Sequence, residues 1–294
     1  MMTTTRVKEN LNLFRCPLCG GKMRMVAERS IVCAKNHCFD LAKRGYVNLL
    51  TSPVKTEYDK EMLKSRNIII RSGLYEPLTD KLAGLILDHA CGPHTEVTRI
   101  LDAGCGEGSH LARVIQSMKG RSDRRVSGVG IDISKEGIQI ASKEYQGITW
   151  CVADLARVPF KDDSFDVVLN ILSPANYTEF KRLLAGDGIL IKVVPGSEYL
   201  IELREFLYRS TGKEKYSNER VIAHFEENFN TAGTWDIMYS LPVDKHNLEH
   251  LIRMTPLSWG AAEKNITEAL KKGIDSITVD LTVILGKETR GRGS

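Results

Sequence analysis

Cys16 and Cys19 are separated by two residues, Cys33 and His37 by three, and the two halves by thirteen. Three thiolates and one imidazole at this spacing can wrap a single tetrahedral zinc ion, provided the stretch between the halves folds back on itself. Gly20-Gly21 after the first pair suits the tight turn of a metal knuckle, where φ is free to be positive. Cys38 adjoins His37 and competes as the fourth ligand. Consecutive residues do not readily face one ion, so His37 is the expected ligand and Cys38 a structural thiol. The bland alternative is that these cysteines are small buried hydrophobes, as unpaired cysteines often are.

A second group of residues suited to chemistry begins at Asp102, where Leu101-Asp102-Ala103-Gly104-Cys105-Gly106-Glu107-Gly108 follows a short apolar run. A strand over 98–102, a glycine turn and a helix over 111–118 make the opening of a cofactor-binding unit. Glycines 104, 106 and 108 let the backbone turn sharply and let a ligand lie against it, while Asp102 can accept hydrogen bonds from the loop or the ligand. A glycine turn alone also fits a dinucleotide site. Further along, Asp132 ends a strand over 126–131, where a carboxylate can take both hydroxyls of a ribose or else cap a helix beside Ser134. Asp154 follows a strand over 148–152, in a cofactor role or as a turn cap.

These residues need a frame. Strands over 165–170 and 188–194, separated by a helix over 177–184, extend the alternating pattern. Two helices precede the first strand, with Met62, Ile69 and Ile70 and then Leu78, Leu82, Leu85 and Ile86 at helical spacing, broken at Gly73. The polar stretch 52–66 reads as a linker. The expected division is a zinc-binding domain over 1–51, that linker, and an α/β domain over 67–294. The segment 88–94 carries His89, Cys91 and His94, which invite a second metal or form a solvated loop.

The chain's 294 residues can hold more than one core. No apolar run approaches the length of a membrane span, the first ten residues lack the apolar core of a signal peptide, and seven cysteines partly in metal spacing fit a reducing compartment. A cytoplasmic address follows as an expectation. The net charge of +4 conceals an asymmetry: residues 1–50 carry nine basic and three acidic side chains, so this part is +6 and the remainder −2. A basic, metal-organised module on a near-neutral domain is what binding a phosphate backbone would require, unless the charge is merely a solvated face.

The carboxylates at strand ends make the larger part resemble the Rossmann-like S-adenosylmethionine-dependent methyltransferases, whose class I sheet has seven mostly parallel strands, and the tail 280–286 suits the late antiparallel strand typical of that class. The whole chain resembles the 23S rRNA (guanine-N1-)-methyltransferases. That resemblance rests on the zinc segment running into Phe39-Asp40 and Gly45-Tyr46-Val47-Asn48-Leu49-Leu50, on Gly73-Leu74-Tyr75-Glu76-Pro77-Leu78, on Leu101 to Gly108, on Pro195-Gly196 and on Met254-Thr255-Pro256-Leu257-Ser258-Trp259. It implies that Tyr75, Gly106 and Glu107 touch the methyl donor, that the zinc module holds a hairpin of 23S rRNA, and that Tyr199, where relatives are expected to carry histidine, belongs to the donor site. Relatives look dimeric, and some are linked to macrolide resistance, so a homodimer and either a housekeeping or a resistance role are implied.

Methyl transfer to guanine N1 requires alignment of the nucleophile with the methyl carbon, and something to accept the N1 proton. Asn170, after the fourth strand of the α/β domain, is the candidate for holding the base edge, with a turn-forming role as its alternative. Tyr177 or Trp259 could stack on an extruded base, or be core or interface residues. Rival functions are methylation of another RNA or of a small molecule, and non-catalytic RNA binding.

Overall fold

The computed structural model describes residues 4–54, 58–90, 96–209 and 216–288. A short helix α1 (Thr4–Glu9) leads to a three-stranded antiparallel sheet, β1 (Met23–Val26), β2 (Ser30–Cys33) and β3 (Cys38–Asp40). After a two-residue strand β4 (Val47–Asn48) come α2 (Lys60–Arg71), α3 (Glu76–His89), β5 (Val97–Ala103), α4 (Ser109–Arg121), β6 (Arg125–Asp132), α5 (Lys135–Glu144) and β7 (Thr149–Val152). The chain continues through β8 (Phe165–Ile171), α6 (Tyr177–Leu183), β9 (Leu184–Pro195), α7 (Ile201–Leu207), α8 (Glu219–Glu226), β10 (Asn230–Pro242), α9 (Lys245–Met254), α10 (Glu263–Lys272) and β11 (Ser276–Lys287).

Eight strands form the main sheet in the order β10-β11-β9-β8-β5-β6-β7-β4, with β11 antiparallel to both neighbours and the pairs from β9 to β4 parallel. Seven of these are the Rossmann-like set that the strand-end carboxylates implied. The eighth, β4, comes from just beyond the metal ligands and pairs Val47 with Cys151 and Asn48 with Val152. Chain order runs outward from β5 to β7 on one side and from β8 to β9 on the other. The switch between β5 and β8 is where loops at the carboxyl ends of parallel strands separate and leave a crevice.

Near-continuous apolar strands need cover on both faces. On one face Ile100, Trp150, Val167, Leu169 and Ile191 pack with α2, α3, α4, α7 and α9. On the other, Leu101, Val129, Phe165 and Leu190 pack with α6 and α8, and with Val7, Leu13, Phe14, Met23 and Ile31 from the amino-terminal part. The connection 153–164 between β7 and β8 contains no helix, and Phe14 fills that place, its ring 4.9 Å from Phe160. Lys161 N donates to Leu13 O at 2.8 Å and Arg15 N to Pro159 O at 3.1 Å, which stitches the metal module onto the sheet.

The stretch read as a linker differs from that reading in its second half. Asp59 caps α2 by accepting from Met62 N at 2.7 Å, and Met62, Leu63 and Ser65 are buried, so helix begins at Lys60. Asp88, His89 and Ala90 close α3, while Cys91 to His94, with the second-metal reading, lie outside the described residues. No described helix is long and apolar enough to cross a membrane.

Candidate metal centre and candidate active site

Two turns bring the metal-type residues together. Gly20, at φ +70°, donates from its N–H to Cys16 O at 2.8 Å, and Asn36, at φ +61°, donates to Cys33 O at 3.0 Å. Each ligand pair thus sits on a turn that reverses through the left-handed region. The ligand atoms of Cys16, Cys19, Cys33 and His37 all lie within 4.8 Å of one another. His37 Nδ1 is 3.4 Å from both Cys16 Sγ and Cys33 Sγ, and Cys19 Sγ is 3.7 Å from Cys33 Sγ. A zinc tetrahedron with ordinary bond lengths has S···S edges of about 3.8 Å and S···N edges of about 3.5 Å. The cluster fits that ion in donor type and size. Burial raises the Cys33 thiol, but amides of His37 and Lys35 pointing at its sulfur bring it down to about 7, toward the thiolate that a metal requires. Cys38 is exposed on β3, with Sγ 3.8 Å from Asp40 Oδ1 and no place in the cluster.

At the switch between β5 and β8 lies a cavity of about 720 Å³. Its floor is Asp102 and Gly104. Tyr75, His110, Lys192 and Tyr199 stand on its walls, and the loop 172–175 closes one side. Among the described residues, the buried side-chain nitrogen and oxygen atoms without a hydrogen-bond partner are both carboxylate oxygens of Asp102 and Nδ1 of His110. Both residues line the cavity. Buried polar groups are almost always paired, so orphans gathered at one cavity mark where a ligand completes them. Desolvation first, then Asp132, then Glu107, pushes the Asp102 carboxyl up to about 8. Burial, then Arg66 and Arg113, holds His110 down at about 3, so its imidazole is neutral.

The residues expected at the donor site take two kinds of place. Tyr75, Asp102, Gly104 and Tyr199 face the cavity, and the Tyr75 and Tyr199 hydroxyls meet at 2.5 Å. Gly106, Glu107 and Asp132 build the loop beneath. Asp132 Oδ2 accepts from Gly106 N at 2.8 Å and Oδ1 from Ser134 N at 2.7 Å, which leaves each oxygen one lone pair for a ligand hydroxyl. Ser134 in turn caps α5 by accepting from Gly137 N. Glu107 is buried and accepts from the Ser109 hydroxyl at 2.8 Å. Asp154 Oδ1 accepts from Ala156 N at 2.8 Å and closes a turn away from the cavity.

Asn170 requires correction. It is fully buried, its Nδ2 donates to Ala103 O at 2.8 Å and Pro174 O at 2.9 Å, and its Oδ1 accepts from Lys192 Nζ at 2.5 Å. Both amide hydrogens are spent on tying the 172–175 loop to β5, so Asn170 presents no edge to an acceptor and acts by positioning. Lys192, which sequence reasoning passed over, donates also to Ser173 O at 2.6 Å, faces the cavity and is lowered by burial to about 8. Its signal was a lysine interrupting the otherwise apolar strand 188–194. Tyr177 is buried among Phe180, Phe225 and Phe229 with one side on the cavity. Trp259 is 48% exposed and meets the cavity-lining Tyr58 edge-on at 5.5 Å.

The glycine loop has little tolerance. Gly104 has φ +86°, and a Cβ there would fall 1.9 Å from Ser173 Oγ and 2.8 Å from Ser173 Cβ. Gly104→Ala adds left-handed strain of about 1–2 kcal/mol and forces the 172–175 loop off β5. We expect donor affinity to fall at least about 100-fold by calorimetry, with a lower thermal midpoint; an unchanged affinity would mean that this loop does not wall the donor site.

Residues 14–58 match a zinc-ribbon family model described as "RlmA, N-terminal", and residues 94–253 match one described as "Methyltransferase domain". A Bacillus subtilis (strain 168) protein named "Putative 23S rRNA (guanine-N(1)-)-methyltransferase YxjB" is 43% identical over 279 residues, which covers 94% of this chain and 98% of that one. The "23S rRNA (guanine(748)-N(1))-methyltransferase" of Streptomyces fradiae is 30% identical over 282 residues, covering 94% and 96%. Ribbon and catalytic fold thus match together, in one order and over nearly full length, and the chain belongs to the 23S rRNA (guanine-N(1)-)-methyltransferase family.

Proposed function

We propose that this protein transfers the methyl group of S-adenosylmethionine to N1 of a guanine in a hairpin of 23S rRNA. The observation that carries the reading is the end-to-end similarity to relatives named for that reaction. The orphaned Asp102 carboxylate on the floor of the cavity supports the donor, whose ammonium and sulfonium are cations.

The donor supplies an already activated methyl carbon, so the protein's task is largely alignment. Gly104 and Gly106, both with positive φ, let the ligand approach backbone, Asp102 offers a charge partner, and Tyr75 and Tyr199 fix one wall. Guanine enters from the side of the 172–175 loop. Its N1 lies on the pairing edge, so the base must be unpaired or extruded, and the exposed Trp259 indole beside Tyr58 offers a stacking face. Lys192 is placed to take the N1 proton. In its neutral form both N–H groups are spent on Asn170 Oδ1 and Ser173 O, which leaves the lone pair free. With a pKa of about 8, a useful fraction is neutral near physiological pH.

The RNA rests in this reading on the metal module. Lys22, Arg24, Arg29, Lys35 and Lys43 are exposed there and form no ion pair among the described residues, so their charges are available to phosphates. A homodimer, a cytoplasmic address and a domain division near residue 51 belong to the same reading. Incubation with labelled S-adenosylmethionine and a 23S rRNA fragment, followed by primer extension, tests it. One donor-dependent reverse-transcriptase stop beside a single guanine is expected, since an N1-methyl group blocks pairing. Transfer to small molecules without RNA, or label with no stop, overturns the assignment.

A further inference from the structure

We propose that Arg66 anchors the α-carboxylate of the methyl donor's methionyl group, an assignment that rests on the function proposed above. Arg66 lies in α2, half-buried, and its side chain lines the cavity. The helix is pinned by the Asp59 cap and by Met62, Leu63, Ile69 and Ile70 buried on its other faces, so the guanidinium is delivered from a rigid element. Its Nη1 would be only 3.2 Å from a Cβ on Gly106, so the cation lies directly against the glycine loop. It acts electrostatically on Glu107, Asp132, Tyr75, Tyr199 and His110.

Despite those neighbours, Arg66 makes no hydrogen bond or ion pair among the described residues, and its contact is with the Tyr58 ring, 5.8 Å from the centroid. The nearby acids are engaged elsewhere: Glu107 accepts from Ser109, and Asp132 from Gly106 and Ser134. Arg204, by contrast, also lines the cavity but has its guanidinium spent on the carbonyls of Tyr199 and Ser197. The cavity lining therefore offers both an unspent planar cation, Arg66, and an unpartnered buried carboxylate, Asp102. That pair is the complement of a zwitterion. A free α-amino acid head has one ammonium for the carboxylate and one carboxylate for the guanidinium fork, whose geometry favours bidentate capture. An RNA phosphate is the other anion Arg66 could take, but its place against the loop at the end of β5 favours the donor.

Calorimetry on the zinc-loaded full-length protein decides this with two probes, S-adenosylmethionine and its decarboxylated form, which keeps the ammonium and sulfonium and lacks only the carboxylate. Wild type should bind the intact donor more tightly. Arg66→Gln should weaken the intact donor roughly 10- to 100-fold and leave the decarboxylated compound within about twofold, and Arg66→Lys should fall between, retaining charge without the fork. Circular dichroism and zinc content identify any variant that fails to fold, in which case Arg66→Lys carries the test. Equal losses for both probes, no loss for either, or a loss confined to RNA binding each overturn the assignment. If wild type binds neither probe, the proposed function falls as well; if it binds both and Arg66→Gln does not discriminate, Arg66 alone is misassigned.

Discussion

Withdrawing zinc, by chelation or by Cys33→Ser, is expected to lower the thermal midpoint of the entire chain by on the order of 10 °C. An appended arm would melt separately and leave the main transition in place. Here the ligands hold the amino-terminal part in the place on the sheet where the 153–164 connection contains no helix. Cys16 and Cys33 are themselves buried, Cys33 pairs with Met23 across β1 and β2, and Met23, Ile31 and Phe14 pack in one cluster with Leu101, Val129, Phe160 and Phe165. Releasing the metal frees both ligand turns, and with them the ring of Phe14 that lies against Phe160. Exposing a buried aromatic of this kind costs about 1.5–3 kcal/mol. Donor affinity, measured well below the transition, should stay within about twofold, because none of the four ligands lines the cavity. Scanning calorimetry with metal analysis checks both points. An unchanged main transition after complete zinc loss would mean that the ribbon is energetically independent of the sheet.

What the sequence disclosed depended on whether a feature was local. The zinc ligands were legible because two turns separated by a hairpin fix their spacing, and β5, β6, β8 and β9 were legible because apolar runs end in carboxylates or turn residues. Strand β4 has two residues and no period to detect, and its pairing with β7 spans about a hundred positions of chain. Strand β10 does alternate, with Trp235, Ile237, Tyr239 and Leu241 toward the core, but as an edge strand it buries them only partly, and between them stands an exposed apolar Met238 as well as Asp236 and Ser240. Helix α2 was legible from Met62, Ile69 and Ile70, and the polar composition of its first turns is what made 52–66 read as a linker.

At the site, residue types were easier to read than their tasks. Asp132 and Asn170 stand at strand ends as expected, yet their bonds go to loop amides and carbonyls, an outcome set by rotamer and packing. Arg66 and His110 carried no local mark. An arginine on an amphipathic helix is ordinarily a solvated charge, and only the packing of α2 against the glycine loop makes this one a cavity wall.

Asp102→Asn should make the donor-free protein more stable and the donor bind less well. Burial and two neighbouring carboxylates raise the Asp102 carboxyl from its ordinary 3.8 to about 8. A carboxyl whose folded pKa exceeds its unfolded one contributes stability that is fully present below about pH 4 and is lost as pH rises to about 8. Wild type should therefore lose stability relative to Asp102→Asn across that window. The midpoints should coincide near pH 4, and by pH 9 the variant should lead by on the order of a few kcal/mol, since each pH unit between the unfolded and folded pKa is worth up to about 1.4 kcal/mol. Comparing the two proteins at each pH removes the raising of Glu107 and Asp132 by burial, which both proteins share, while their charge coupling to Asp102 is part of the difference. Donor binding should run the other way. A cationic ligand needs the ionised carboxylate, so wild-type affinity should climb between about pH 6 and 8, while the variant binds roughly 10- to 100-fold more weakly with that climb abolished. Thermal melts and calorimetry across pH 4–9 measure both halves. A variant that keeps wild-type affinity, or one no more stable than wild type at pH 9, would show that the buried carboxylate of Asp102 is not held in reserve for a cationic ligand.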